Sequence, residues 1–223
     1  MVKNIYCTIK YTCCSLMMSM AVTVGVAQEK IADRLNTPAA LENMKMRGLW
    51  SQSKNAAGAL LDYSFRYASA DLEYRFYDGN FRRPQQGESG NNVVFDTEGG
   101  GKVKDFFAWG SFNYSRDKVK EANFNSSIID PYRGMPYYTA DTNVSNWNNQ
   151  HYRLKMRVAT PQFWNFLSFG LDGYYQNSVG AKQRDMRTKS VFYTIIVRPG
   201  VVLSAGKNHR FGLDFEYASV RED

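Results

Sequence analysis

The chain is short of the residues that most active-site chemistry needs. Its three cysteines are Cys7, Cys13 and Cys14. A chain cut after them has no disulfide, no thiolate nucleophile and no thiolate metal ligand. The two histidines, His151 and His209, stand far apart and do not make a metal site. No stretch is apolar over the roughly 20 residues that a membrane-spanning helix requires, and mean hydropathy is −0.48. This excludes a helical membrane protein. It does not exclude a barrel, because only alternate residues of a spanning strand meet lipid. No phosphate-cradling loop and no carboxylate pair stands out. Gly99-Gly100-Gly101 reads as a turn joining strands near 98 and 106. No block of like charge is present either. The net charge of +7 is spread along the chain, with basic and apolar residues often alternating, so nucleic acid is not an expected partner. No cofactor is expected.

Aromatic residues, by contrast, are abundant. They make up 15% of the chain, including 15 Tyr and 14 Phe. Strands and membrane interfaces both favour them. The first 27 residues read as a secretory signal peptide: Lys3 and Lys10 form a basic start, Thr12 to Val26 is mostly apolar, and Gly25-Val26-Ala27 offers a cleavage site. The residues before Cys13, Lys10-Tyr11-Thr12, do not suit lipidation. Residues 28–58 form a polar linker. Within it Thr37-Pro38 opens a short helix and Gly48 closes it.

From residue 59 onward the period is two. In His151–Val158 the residues Tyr152, Leu154, Met156 and Val158 alternate with His151, Arg153, Lys155 and Arg157, which is a strand with one apolar and one wet face. The same alternation covers 59–67, where Leu61, Tyr63, Phe65 and Tyr67 share a face, and segments near 72–76, 93–98, 106–115, 167–176, 191–198 and 211–217. A segment at 59–67 is out of phase with a first outward strand at 69–78, so it is expected as a pre-barrel piece, an inner plug strand or an irregular first strand. The connections alternate in length. Those at 99–101, 160–165 and 204–209 are short; those at 78–91, 116–149 and 178–190 are long, as in membrane barrels with short periplasmic turns and long outer loops. Phe163, Trp164 and Phe166 at one short turn, and Phe106, Phe107 and Trp109 at another, suit the inner interface.

From Gly58 to its end the chain resembles an uncharacterised outer-membrane β-barrel family of Bacteroides-type bacteria. The likeness rests on Asn55-Ala56-Ala57-Gly58, on the run from Tyr77-Asp78-Gly79 to Arg83-Pro84-Gln85, and on Trp109-Gly110-Ser111-Phe112-Asn113-Tyr114-Ser115. It continues in Asp130-Pro131-Tyr132-Arg133 with Pro136-Tyr137 and Asp141, and in Arg184-Asp185-Met186-Arg187. The resemblance implies an antiparallel up-and-down transmembrane barrel, about twice this length in other members, with no settled activity. It implies outer-membrane lipid and lipopolysaccharide, together with the barrel-assembly machinery, as partners. About seven or eight strands, spanning 59–223, are expected here, so the barrel is read as incomplete and the chain as the front part of a longer one.

Three candidate sites follow. Arg153, Lys155 and Arg157 form a basic row that faces the lumen, either as an anion-attracting wall or paired across strands with Asp172, Asp214 or Glu216. The loop 116–149 carries Tyr132, Arg133, Tyr137 and Tyr138, the composition of a recognition surface or of a self-packed lid. His151, with Ser145 and Asp141 in the preceding loop, has the residue types of a hydrolase triad. The leading expectation is a non-enzymatic outer-membrane barrel acting as a pore, a transporter of an unspecified small molecule or a display platform. A secreted soluble β-protein that binds a ligand is the second reading, and a barrel hydrolase using His151 the third.

Overall fold

A computed structural model describes residues 38–62, 66–82, 86–122, 143–183, 189–206 and 209–222. The segment expected as a signal peptide, the candidate residues Tyr132, Arg133, Tyr137 and Tyr138, Asp141 and the Arg184–Arg187 motif all lie outside them. The chain divides into two units, residues 1–47 and 48–223. In the first, helix α1 (Pro38–Arg47) starts at the proline and stops before Gly48, as the sequence leads one to expect. Lys45 and Arg47 occupy its last turn, where cations oppose the negative end of the helix dipole.

The second unit is all-β. A 3-10 turn (Ala56–Gly58) runs into a four-residue helix α2 (Ala59–Asp62). Then follow β1 (Tyr67–Asp78), β2 (Ser89–Val103), β3 (Phe106–Ala122), β4 (Ser145–Ala159), β5 (Leu167–Lys182), β6 (Lys189–Ala205), β7 (His209–Asp214) and β8 (Tyr217–Glu222). Each strand from β1 to β7 pairs antiparallel with the next, in chain order, and β8 pairs with β6. The sheet is up-and-down and is not closed: β1 makes no pair with β7 or β8. β7 and β8 lie in one register on β6, since Gly200 faces Asp214 and Val197 faces Tyr217. The break between them falls opposite Arg198-Pro199. Pro199 accepts from the Phe215 N–H at 3.0 Å but has no N–H to return.

Three expectations are corrected. Residues 59–62 are helical, not a strand; four residues of apolar alternation do not separate the two periods. Gly99, Gly100 and Gly101 lie inside β2, and the turn is Lys104-Asp105, with Lys104 at φ 55°. A Cβ at Gly100 would come within 2.7 Å of the Trp109 backbone, so this glycine serves a close approach of strands. Phe107 and Trp109 do not point to the open face of the sheet. Both face the same way as Ser111 and Asn113, and Phe107, together with Ala59 and Ala159, is buried. Strand parity puts Phe106 on the opposite face, half exposed.

The short turn after β4 is built as the sequence requires. Phe163 pairs with Leu167, and Trp164 and Asn165 have φ of 49° and 62°. Two successive positive φ values between hairpin strands are the signature of a type I′ turn. The strands run further than their apolar pattern: β3 reaches Ala122 and β5 reaches Lys182. The connection after β5 is therefore shorter than expected, residues 183–188.

The two faces of the sheet differ in chemistry. One, the inner face, carries residues 50–59; Phe107, Ser115, Ala159, Ser168, Asp172, Ser178, Thr194 and Val202 on it are buried. The other is apolar and open. Phe112, Leu154, Tyr175 and Ile195 form one cross-strand row, and Ala108, Val158, Leu171 and Pro199 another. Leu72, Phe76, Leu154, Met156, Leu203 and Leu213 on this face are all exposed. A row of tyrosines, Tyr114, Tyr152 and Tyr193, bounds it towards the long connections. The rings of Tyr114 and Tyr152 lie 5.0 Å apart. At the other end stand Phe163, Trp164 and Phe166, with Trp164 77% exposed.

Candidate functional site

The inner face carries two polar clusters. The first surrounds the turn Asn55-Ala56-Ala57-Gly58. Asn55 caps the 3-10 turn by accepting from the Ala57 N–H (2.9 Å), and its Nδ2 donates to the carbonyls of Val201 (3.0 Å) and Leu213 (3.1 Å). Ser168 donates to the Ala57 carbonyl at 3.0 Å. The strands give way to this turn through glycines. A Cβ at Gly170 would sit 2.2 Å from the Ala57 nitrogen, and one at Gly200 would sit 2.3 Å from Asn55 Oδ1. Trp50 closes the turn from one side, packed on Ala57 and Val202. Its ring occupies the space that a side chain at residue 58 would need. Leu49, Trp50, Ser53, Asn55, Gly212 and Asp214 border a half-open cleft of about 270 Å³.

An ion-pair chain ties the turn to the strands. Arg157 on β4 donates to Asp172 on β5 at 2.7 Å, and Arg198 on β6 donates to the other oxygen of Asp172 at 2.7 Å. Arg198 also donates to Glu216, between β7 and β8, at 2.7 Å; Glu216 in turn pairs with Lys54. Arg157 then holds the preceding segment, donating to the carbonyls of Ser51 and Ser53. Asp172 thus satisfies two guanidinium groups from adjacent strands, with each of the three side chains largely covered.

The expected basic row is split by this arrangement. Arg157 is tied to a carboxylate, Arg153 donates to Asn113 at 3.1 Å, and Lys155 is exposed. Cross-strand pairing therefore accounts for Arg157, with Asp172 and not Asp214 as its partner.

The second cluster lies towards the long connections. His151 Nδ1 is 2.8 Å from Ser178 Oγ, and its Nε2 is 3.1 Å from Asp117. Gln176 donates to Ser178 at 3.1 Å and accepts from Tyr174 at 2.6 Å. These are the partners that strand register gives His151. Ser145 is six residues up the same strand, a rise of roughly 20 Å, and is not one of them. Ser178 has no exposed surface, so a substrate carbonyl has no path to its oxygen in this arrangement. The cluster as placed cross-links β3, β4 and β5. Outside the strands, the Glu88 carboxyl is held below its usual range, first by a hydrogen bond with Glu121 and then by the charge of Arg82. Among the described residues no group of three His, Cys, Asp or Glu is arranged to hold a metal.

Sequence reasoning missed Asn55 as a cap and Asp117, Ser178 and Arg198 as partners. The Asn55 motif was visible in sequence, but its role depends on glycines more than a hundred residues away. Residues 56–223, which take in the 3-10 turn and the whole sheet, match a family of unknown function, DUF6850. No curated protein and no solved structure matches the chain.

Proposed function

The chain belongs to the DUF6850 family, and from that premise we propose that its sheet is wall of an outer-membrane β-barrel, with residues 50–59 occupying part of the lumen. The role is a pore, a transport channel or a surface-display platform. One observation carries the reading: the sheet is apolar on its open face and polar on its covered face. A water-soluble sheet does the reverse. The outward apolar stretch of β5 begins at Leu167, and the tyrosine row crosses β5 at Asn177. That is about 33 Å along a strand at roughly 3.3 Å per residue. Tilted by about 40°, it spans about 25 Å, the height of the apolar band of an outer-membrane barrel. Tyrosines at one limit and Phe163, Trp164 and Phe166 at the other suit the two headgroup layers, where amphipathic rings settle.

Cell fractionation tests the reading. The protein is expected in the outer membrane, extractable only with detergent and with heat-modifiable gel mobility. Recovery in the soluble fraction without detergent would sink it.

The lower girdle has its own test. Trp50 and Trp147 are buried, and Trp109 is held on the inner face by donating to Tyr67 at 2.7 Å. Trp164 therefore reports on lipid. Lipids brominated near the headgroup are expected to quench part of the tryptophan emission, and Trp164→Phe to remove most of that quenching. Quenching unchanged in the variant would take this turn out of the interface.

A further inference from the structure

We propose that Arg116, Lys118 and Lys120 on β3, joined by Lys189 on β6, form a binding surface for the phosphate groups of lipid A in the outer leaflet. The proposal rests on the outer-membrane reading and gives that barrel a defined lipid contact.

The observation is one of register. Beyond the outward-facing Tyr114, β3 continues as Ser115-Arg116-Asp117-Lys118-Val119-Lys120. Alternation turns Arg116, Lys118 and Lys120 to the outer face and Asp117 to the inner face, where it meets His151. All three cations are exposed, and none of their side chains has a hydrogen-bond or ion-pair partner among the described residues. Their cross-strand neighbours are uncharged. Arg116 stands between Val93 and Gln150, Lys118 between Asn91 and Asn148, and Lys120 opposite Ser89. The Lys118 row continues through Ala181 to Lys189, another exposed cation.

The height is what selects the ligand. These cations begin one row beyond the tyrosines, where the apolar band ends and the charged headgroups begin. A merely solvated face would mix both signs. On β2 to β6 the outward positions of these rows hold four cations, three amides, one hydroxyl and no carboxylate; a carboxylate, Asp78, enters only on β1, beyond Ser89. Arg116 can grip a phosphate with two parallel N–H bonds, while the lysines act as point charges. The amides of Asn91, Asn148 and Gln150 suit sugar hydroxyls beside the phosphate.

The test uses the full chain in detergent with lipid A added, and native mass spectrometry to count retained lipid. The triple variant Arg116→Gln, Lys118→Gln, Lys120→Gln is compared with the wild type. Each cation near a charged lipid surface is worth about fivefold in affinity, so about a hundredfold loss is expected, with wild-type retention falling as salt rises. The variant is expected to keep outer-membrane location and heat-modifiable mobility, because none of the three side chains holds the sheet together. A variant that reaches the membrane and still retains lipid A like the wild type would overturn the proposal and leave the barrel reading standing. Equal retention of dephosphorylated lipid A, or equal competition by phosphatidylglycerol, would also overturn it. If the wild type itself is soluble, both readings fall together.

Discussion

Replacing Asp172 with alanine is expected to cost about 3–5 kcal/mol of stability, the typical penalty for leaving partly buried charges without their partner. The loss is large because one carboxylate serves two guanidinium groups. Arg157 and Arg198 reach it from opposite sides, each at 2.7 Å, and all three side chains are mostly shielded from water. Without Asp172 two cations face each other across β5. Arg157 also anchors Ser51 and Ser53, so the segment before the 3-10 turn should loosen with it. Asp172→Asn is the informative companion. It keeps the shape and one acceptor but removes the charge, and should fall between wild type and alanine. The check is the denaturant midpoint of the detergent-folded protein, followed by circular dichroism. A midpoint for Asp172→Ala within error of the wild type would mean that these charges are solvated and the ion-pair chain contributes little.

How much of this was legible in the sequence depends on the range of the interaction. The strands were legible because period two is a local property; β4 could be read from His151 to Val158 residue by residue. Strand ends were not, since beyond Tyr114 the alternation continues in polar residues, and hydropathy no longer marks it. The Gly99-Gly101 triplet looked like a turn because glycine's freedom is what turns use. Here its missing side chain matters instead, admitting Trp109 close beside β2. The basic row on the inner face was legible as a row. Which member is tied and which is exposed was not, because Asp172 and Arg198 become neighbours only through register. The same holds for His151: the sequence offered Ser145 and Asp141 nearby in the chain, whereas the sheet brings Ser178 and Asp117 from adjacent strands.

The tightest coupling between distant parts of the chain runs through Gly170. Gly170→Ala is expected to expel the Asn55–Gly58 turn from the sheet. A Cβ there would meet the nitrogen and Cα of Ala57 at 2.2 and 2.5 Å and the Ala56 carbonyl carbon at 2.6 Å. All three are backbone atoms, so no side-chain rotation relieves the clash. Overpacking of this kind costs about 1–3 kcal/mol. Displacing the turn also breaks the bonds that Asn55 makes to Val201 and Leu213 and the bond from Ser168 to Ala57. The strands pair without this segment, so the sheet should survive while the turn opens. Gly110→Ala is the matched control. It lies on the outer face of β3, where the nearest atom to a new Cβ is the Lys155 carbonyl oxygen at 3.8 Å, and it should change little. Limited trypsin digestion reads the difference at Lys54, inside the held segment. Cleavage tracks the population of the open form, so the rate in Gly170→Ala should rise about tenfold to a hundredfold, each tenfold corresponding to about 1.4 kcal/mol. If both variants are cut at the wild-type rate, the turn does not depend on its glycine seat, and the inner face is open to residues 50–59 only as a loose cover.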